Sequence, residues 1–286
     1  MEETLLPEVL PVPPAYPTLK ESWAALGWLL LISMLAALAV LLPFKAMGSL
    51  TKLVNLVLTF ALGSVSMLLT IWWVRQRAGS LRWLGLALRG PADRWQLYAL
   101  LPVVALAQAL LVSTLAFLPL PNWYAGRFQE LAAHPLLALG LGCVLGPICE
   151  ELLFRGVLLK GLLRNYRPAV AIGQSALLFG IIHLNPAQSV GACIIGLVLG
   201  WLYYRTHSLA LCIGLHMLNN MLAFGAMLVP SLADERTMVR HLGTGWYVGL
   251  LAASAVVLGS IWWWLRRVGP APTPAHSVDS AVVLPV

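Results

Sequence analysis

Residues 135–163 read PLLALGLGCVLGPICEELLFRGVLLKGLL, and how this run is taken decides the fold. It is apolar over more than the roughly 20 residues an α-helix needs to cross a bilayer. Yet Glu150, Glu151 and Arg155 stand near its middle. An acidic or basic side chain at the centre of a spanning helix costs about 2.5–3.5 kcal/mol on insertion scales, so it persists where it is paired or used. The segment is therefore read as a membrane helix that carries chemistry.

The rest of the chain supports a membrane fold. Of 286 residues, 60% are hydrophobic and 10% charged, against roughly 25% charged in an ordinary soluble domain. A soluble protein could not wet its surface with so few charges. Seven further apolar runs flank the first, at about Trp23–Phe44, Leu50–Val74, Leu97–Leu118, Ala169–Leu184, Val190–Tyr204, Leu209–Val229 and Gly245–Leu265. The expected fold is all-α and polytopic, with about eight transmembrane helices around a polar intramembrane cavity. Residues 1–22 and 266–286, rich in proline, are expected to be disordered tails around a transmembrane domain of residues 23–265, with its chemical core in 135–229. The first stretch is acidic and broken by proline, unlike the basic start and apolar core of a secretory signal.

The net charge of +7 does not point to nucleic acid, because the basic residues lie between apolar runs. With eight spans, 13 of the 18 Lys and Arg fall on the side of the termini and 5 on the other. Basic loops stay cytoplasmic, so both termini are expected there. The loop of residues 75–97 mixes arginines with Trp83, Leu84 and Leu86, as an amphipathic helix at the inner interface would. Tryptophans near helix ends, such as Trp72 and Trp262, suit the headgroup region. Cys143, Cys149, Cys193 and Cys212 lie inside apolar runs with no CxxC spacing and read as small buried hydrophobes.

Three segments hold the remaining polar side chains. In Glu150-Glu151-Leu152-Leu153-Phe154-Arg155, Glu151 and Arg155 are four apart in the favourable acid-before-base order and can neutralise each other. The neighbouring Glu150 points about 100° away. It is either protonated or held by groups on other helices. His183 follows Phe179 by four residues, just before Asn185-Pro186. His216 and Asn220 share a helix face, with Asn219 off it, where an amide suits helix–helix adhesion. A carboxylate and an imidazole can take a proton from water and return it to a leaving amine. An imidazole and an amide can donate hydrogen bonds to an oxyanion. There is no GxSxG serine, no cysteine nucleophile and no HExxH helix.

EExxxR, FxxxH and HxxxN, matched by Glu150-Glu151…Arg155, Phe179…His183 and His216…Asn220, resemble the CAAX-processing and bacteriocin-processing intramembrane endopeptidases, the CPBP or Abi family. The resemblance spans about residues 135–229. It implies eight helices and peptide hydrolysis by glutamate-activated water. Glu150 and His183 would then be the acid–base pair, with His216 and Asn220 on the oxyanion and Glu151 and Arg155 as structural support. No cofactor is implied, and a membrane-anchored protein or peptide is the implied substrate. Straight helices would put His183 towards the outer end, away from Glu150 and His216. Gly146-Pro147 and Asn185-Pro186 are placed to break helices and restore convergence.

Other readings use the same residues. Glu150, His183 and His216 could bind zinc with a water in the fourth position, although no short ligand spacing marks such a site. A non-catalytic immunity or binding protein, or a transporter, could also keep a polar cavity. Transporters usually show two related halves, and none is visible here. The Ala-, Leu- and Arg-heavy composition suggests a bacterial inner membrane.

Overall fold

The computed structural model describes residues 15–48, 51–77, 88–90, 94–229 and 235–267. They form an all-α bundle: α1 (Leu19–Ala46), α2 (Lys52–Arg77), α3 (Trp95–Ser113), α4 (Ala125–Ala132), α5 (Pro135–Asn165), α6 (Pro168–Ile181), α7 (Pro186–Thr206), α8 (Leu209–Leu228), α9 (Glu235–Leu242) and α10 (Thr244–Arg267). Seven helices among the described residues are long and apolar enough to cross a membrane. The predicted runs match helices to within five residues at each boundary.

The exception to the expected eight full spans is α6. Its 14 residues extend about 21 Å at 1.5 Å per residue, short of the roughly 30 Å hydrocarbon core. Two further helices, α4 and α9, are short connectors that hydropathy does not reveal. Of the 75–97 loop, residues 78–87 and 91–93 lie outside the described residues.

Local sequence explains the helix ends. Thr18 and Glu21 form a capping box at the start of α1, Thr18 Oγ1 accepting from the Glu21 amide and Glu21 Oε2 from the Thr18 amide. Residues 15–18 lie within the expected N-terminal tail but are pinned to the bundle. The Ala15 amide donates to Asn165 Oδ1 and the Leu19 amide to Tyr166 Oη. Pro168 and Pro186 begin α6 and α7, where a missing N–H costs nothing.

These contacts define two ends. Residue 15 lies with Asn165 at one. The same end holds Arg205, whose guanidinium donates to the carbonyls of Leu265 and Arg266 and so caps α10. Leu88 O accepts from Ser208 Oγ and the Ala210 amide there as well. We call this the terminal end. At the opposite, distal end, Ser113 Oγ meets Tyr247 Oη, and Asn185 meets Asn122.

Two buried clusters fill the terminal and central parts of the bundle. Leu159, Leu162, Leu199, Leu211 and Leu215 belong to one, and Leu26, Val74, Phe154, Leu178 and Phe179 to the other. A smaller cluster of Leu56, Leu131, Ala138, Cys143 and Phe224 lies towards the distal end. The α6–α7 hairpin closes on small residues, as membrane helices do. A Cβ on Gly196 would stand 3.1 Å from Ala176, and one on Gly180 would stand 2.7 Å from the Ser189 carbonyl.

Candidate active site

Pro147 sets the geometry of α5. In the stretch Ala138–Leu145 the helix widens to i→i+5 hydrogen bonds, the Gly146 amide reaching Leu141 O. In that register residue 147 would bond Gly142 O, but proline has no N–H. The freed carbonyl is met from α8, where Asn220 Nδ2 donates to Gly142 O at 2.9 Å. Gly146-Pro147 therefore does not break the helix as expected. It widens it and exposes an acceptor, a device frequent at functional sites.

One turn on, Glu151 and Arg155 form a fully buried ion pair, Arg155 Nη1 donating to Glu151 Oε1 at 2.7 Å. Arg155 is one of the 13 basic residues assigned above to the side of the termini. It is instead 0% exposed, its Nη2 donating to Gly196 O at 3.1 Å and its guanidinium lying 4.6 Å over the Phe179 ring. A guanidinium in the interior is held by such a set of partners.

The same Glu151 oxygen accepts a second bond, from His216 Nδ1 at 2.8 Å. His216 Nε2 then faces Glu150 Oε2 at 3.6 Å. Glu150, the glutamate without a partner on its own helix, is therefore met by a side chain from α8. That separation is beyond a direct hydrogen bond.

His183 sits past the end of α6. Its Nδ1 lies 2.9 Å from Phe179 O. A carbonyl only accepts, so Nδ1 carries the hydrogen and Nε2 presents its lone pair. In the turn after α6, His183 lines the same cavity as Glu150, His216 and Asn220. Leu184, at φ 47°, reverses the chain before Pro186. The Asn185–Pro186 pair thus ends the helix as expected.

The cavity has a volume of about 700 Å³. Its inner end holds His216, 4% exposed, with Glu150 beside it. Its rim, at the distal end, holds Lys52 from α2, Trp123 and Arg127 beside and on α4, and Met227 from α8. All four are exposed.

Sequence reasoning assigned no role to Phe179. Its ring stands edge-on to Phe154, His183 and His216, with centroids 5.2–5.5 Å apart, and it carries the Arg155 cation on its face. It is the common wall of both histidines. The FxxxH spacing was the available signal. Gly196 and Gly142 act through backbone carbonyls, which no residue type announces. Asn185 fastens the rim, its Oδ1 accepting from the Trp123 amide and its Nδ2 donating to Asn122. Asn219 was read as helix adhesive, but its buried amide forms no hydrogen bond among the described residues. Nor do any three His, Cys, Asp or Glu side chains gather among them as a metal site.

Residues 132–222 match the family described as type II CAAX prenyl endopeptidase Rce1-like. The matched segment holds each of the motif residues quoted above. No curated protein and no solved structure matches the chain. Over this segment, about a third of its length, the chain is similar to the type II CAAX endopeptidases of the CPBP family, which are peptide hydrolases.

Proposed function

We propose that the enzyme cleaves a membrane-associated polypeptide with a water activated by Glu150, in a bacterial inner membrane with both termini cytoplasmic. One observation carries this reading: a carboxylate, two imidazoles and an amide, from two helices and the turn after a third, line one cavity. Glu150 takes a proton from water as its oxygen attacks the scissile carbonyl carbon. The tetrahedral oxyanion accepts hydrogen bonds from His216 Nε2–H and from the Asn220 N–H not bound to Gly142. The C–N bond then breaks, and the proton passes to the leaving nitrogen through Glu150 and the Nε2 lone pair of His183.

Donation from Nδ1 to the Glu151 carboxylate and from Nε2 to the oxyanion together call for the doubly protonated His216 ring. Arg155 balances the second carboxylate, so the cluster of Glu150, Glu151, Arg155 and His216 sums to zero charge in that form. No metal takes part in this mechanism.

The test is cleavage of membrane-anchored reporter peptides by purified protein in detergent, run in H₂¹⁸O. One ¹⁸O in the new carboxylate without a hydroxylamine-trappable intermediate, and loss of cleavage in Glu150→Gln, are the expected results. An acyl-enzyme, or full activity in Glu150→Gln, would overturn the mechanism.

A further inference from the structure

We infer that the active site is reached from the extracytoplasmic side, and that the substrate is an exported, membrane-anchored polypeptide that feeds an extended tail or loop inwards. The inference rests on the proposed hydrolase and adds its direction of access and substrate class.

Two observations combine. The first is the charge distribution over the folded molecule. Eleven Lys and Arg of the described residues belong to the terminal end and five to the distal end, with Arg155 buried between. That asymmetry places the terminal end in the cytoplasm. The hydrogen bonds from Ala15 to Asn165 and from Arg205 to the end of α10 put both ends of the described chain there, so the orientation does not depend on counting α6 as a full span.

The second is the direction of the cavity. Its lining runs from Glu150 and His216 along α2, α4 and α8 to Lys52, Arg127 and Met227 at the distal rim. Exposure rises along the same path, from 4% at His216 to 37% at Met227 and 66% at Trp123. Below the site, towards the cytoplasm, Leu159, Leu211 and Leu215 are at most 1% exposed and close the bundle. A cytoplasmic tail would have to pass through that packed layer.

The depth sets what the substrate must supply. Glu150 lies 15 residues along α5 from Pro135, about 22 Å of helix. An extended chain covers roughly 3.3 Å per residue, so up to about six or seven unfolded residues enter before the scissile bond meets the glutamate. A folded domain cannot do this, whereas a flexible tail beside a membrane anchor can.

Single cysteines test the direction in bacterial spheroplasts with a membrane-impermeant maleimide, the unsubstituted protein serving as blank. Gly126→Cys sits at the rim in open space, and Lys20→Cys lies exposed at the terminal end. Gly126→Cys should react in intact spheroplasts, and Lys20→Cys only after permeabilisation. The reverse pattern overturns the inference.

Cleavage then uses a pool of randomised ten-residue tails on one transmembrane anchor, displayed either outside or inside. Products that depend on Glu150 should come from the outside pool. Glu150-dependent products from the inside pool alone would overturn the access route while upholding the hydrolase. No product from either pool, with labelling as expected, would overturn the catalytic reading and leave the access route standing.

Discussion

Glu151→Gln separates the two adjacent glutamates. Glu151 is fully buried, and its Oε1 accepts from both Arg155 and His216. Glutamine keeps an oxygen that can accept, but it removes the charge that compensates the guanidinium. Arg155 is then left with Gly196 O and the face of Phe179. Stripping a buried ion of its counter-charge costs about 3–5 kcal/mol. Glu150, by contrast, is 18% exposed at the cavity, and its contact to His216 is 3.6 Å. Its replacement by glutamine should cost under about 1 kcal/mol. Unfolding in mixed SDS micelles, followed by the fluorescence of the 12 tryptophans, measures both. A paired Glu151→Leu/Arg155→Met variant should recover much of the lost stability, since apolar replacement of a buried pair is often near neutral. Activity should stay low in it, because His216 has lost the carboxylate that orients it. If Glu151→Gln is as stable as the parent, or Glu150→Gln falls as far, the division of roles is wrong.

Four other outcomes are expected. Cleavage should disappear in His183→Ala and fall roughly a hundredfold or more in His216→Ala; equal, slight losses in both would contradict the assigned roles. Exhaustive chelation should leave activity intact and purified protein should carry no stoichiometric zinc, whereas loss on chelation with recovery on added zinc would recast Glu150, His183 and His216 as metal-site residues. Reporter fusions at residues 10 and 275 should both read cytoplasmic, and opposite signals would mean an odd number of crossings. Pro147→Ala restores an N–H that competes with Asn220 for Gly142 O, so kcat should drop several-fold with KM unchanged and stability held or raised; an unchanged kcat would show that Asn220 is not positioned this way.

Much of this was legible in the sequence, for identifiable reasons. Span positions follow from apolar runs, because lipid leaves helices no polar outlet. The Glu151–Arg155 pair follows from i,i+4 spacing. The bond from His216 to Glu151 does not, because 65 residues separate them in the chain and only the packing of α8 on α5 brings them together. The charge count also placed Arg155 on the side of the termini, since a basic residue inside an apolar run looks the same whether it marks an interface or fills a core. The carbonyls of Gly142 and Gly196 were invisible for a different reason: every residue has one, and which is free depends on a proline or a close helix approach elsewhere.

The shortness of α6 links the remaining facts. A full-length span would have carried His183 out to the membrane surface, away from Glu150. Ending α6 after 14 residues leaves a turn, residues 182–185, between α6 and the rim of the cavity. Such a turn is stable only where protein covers it or where it borders a water-filled recess. Here both conditions hold. Asn185 is 1% exposed and bonded to Asn122 and Trp123, while His183 faces the cavity. The missing helical turns thus leave the second imidazole on the cavity that Glu150 also lines. Lengthening α6 by one turn, with four alanines inserted after Gly173, should therefore abolish cleavage even where the protein still inserts and folds, because it would lift His183 by about 6 Å.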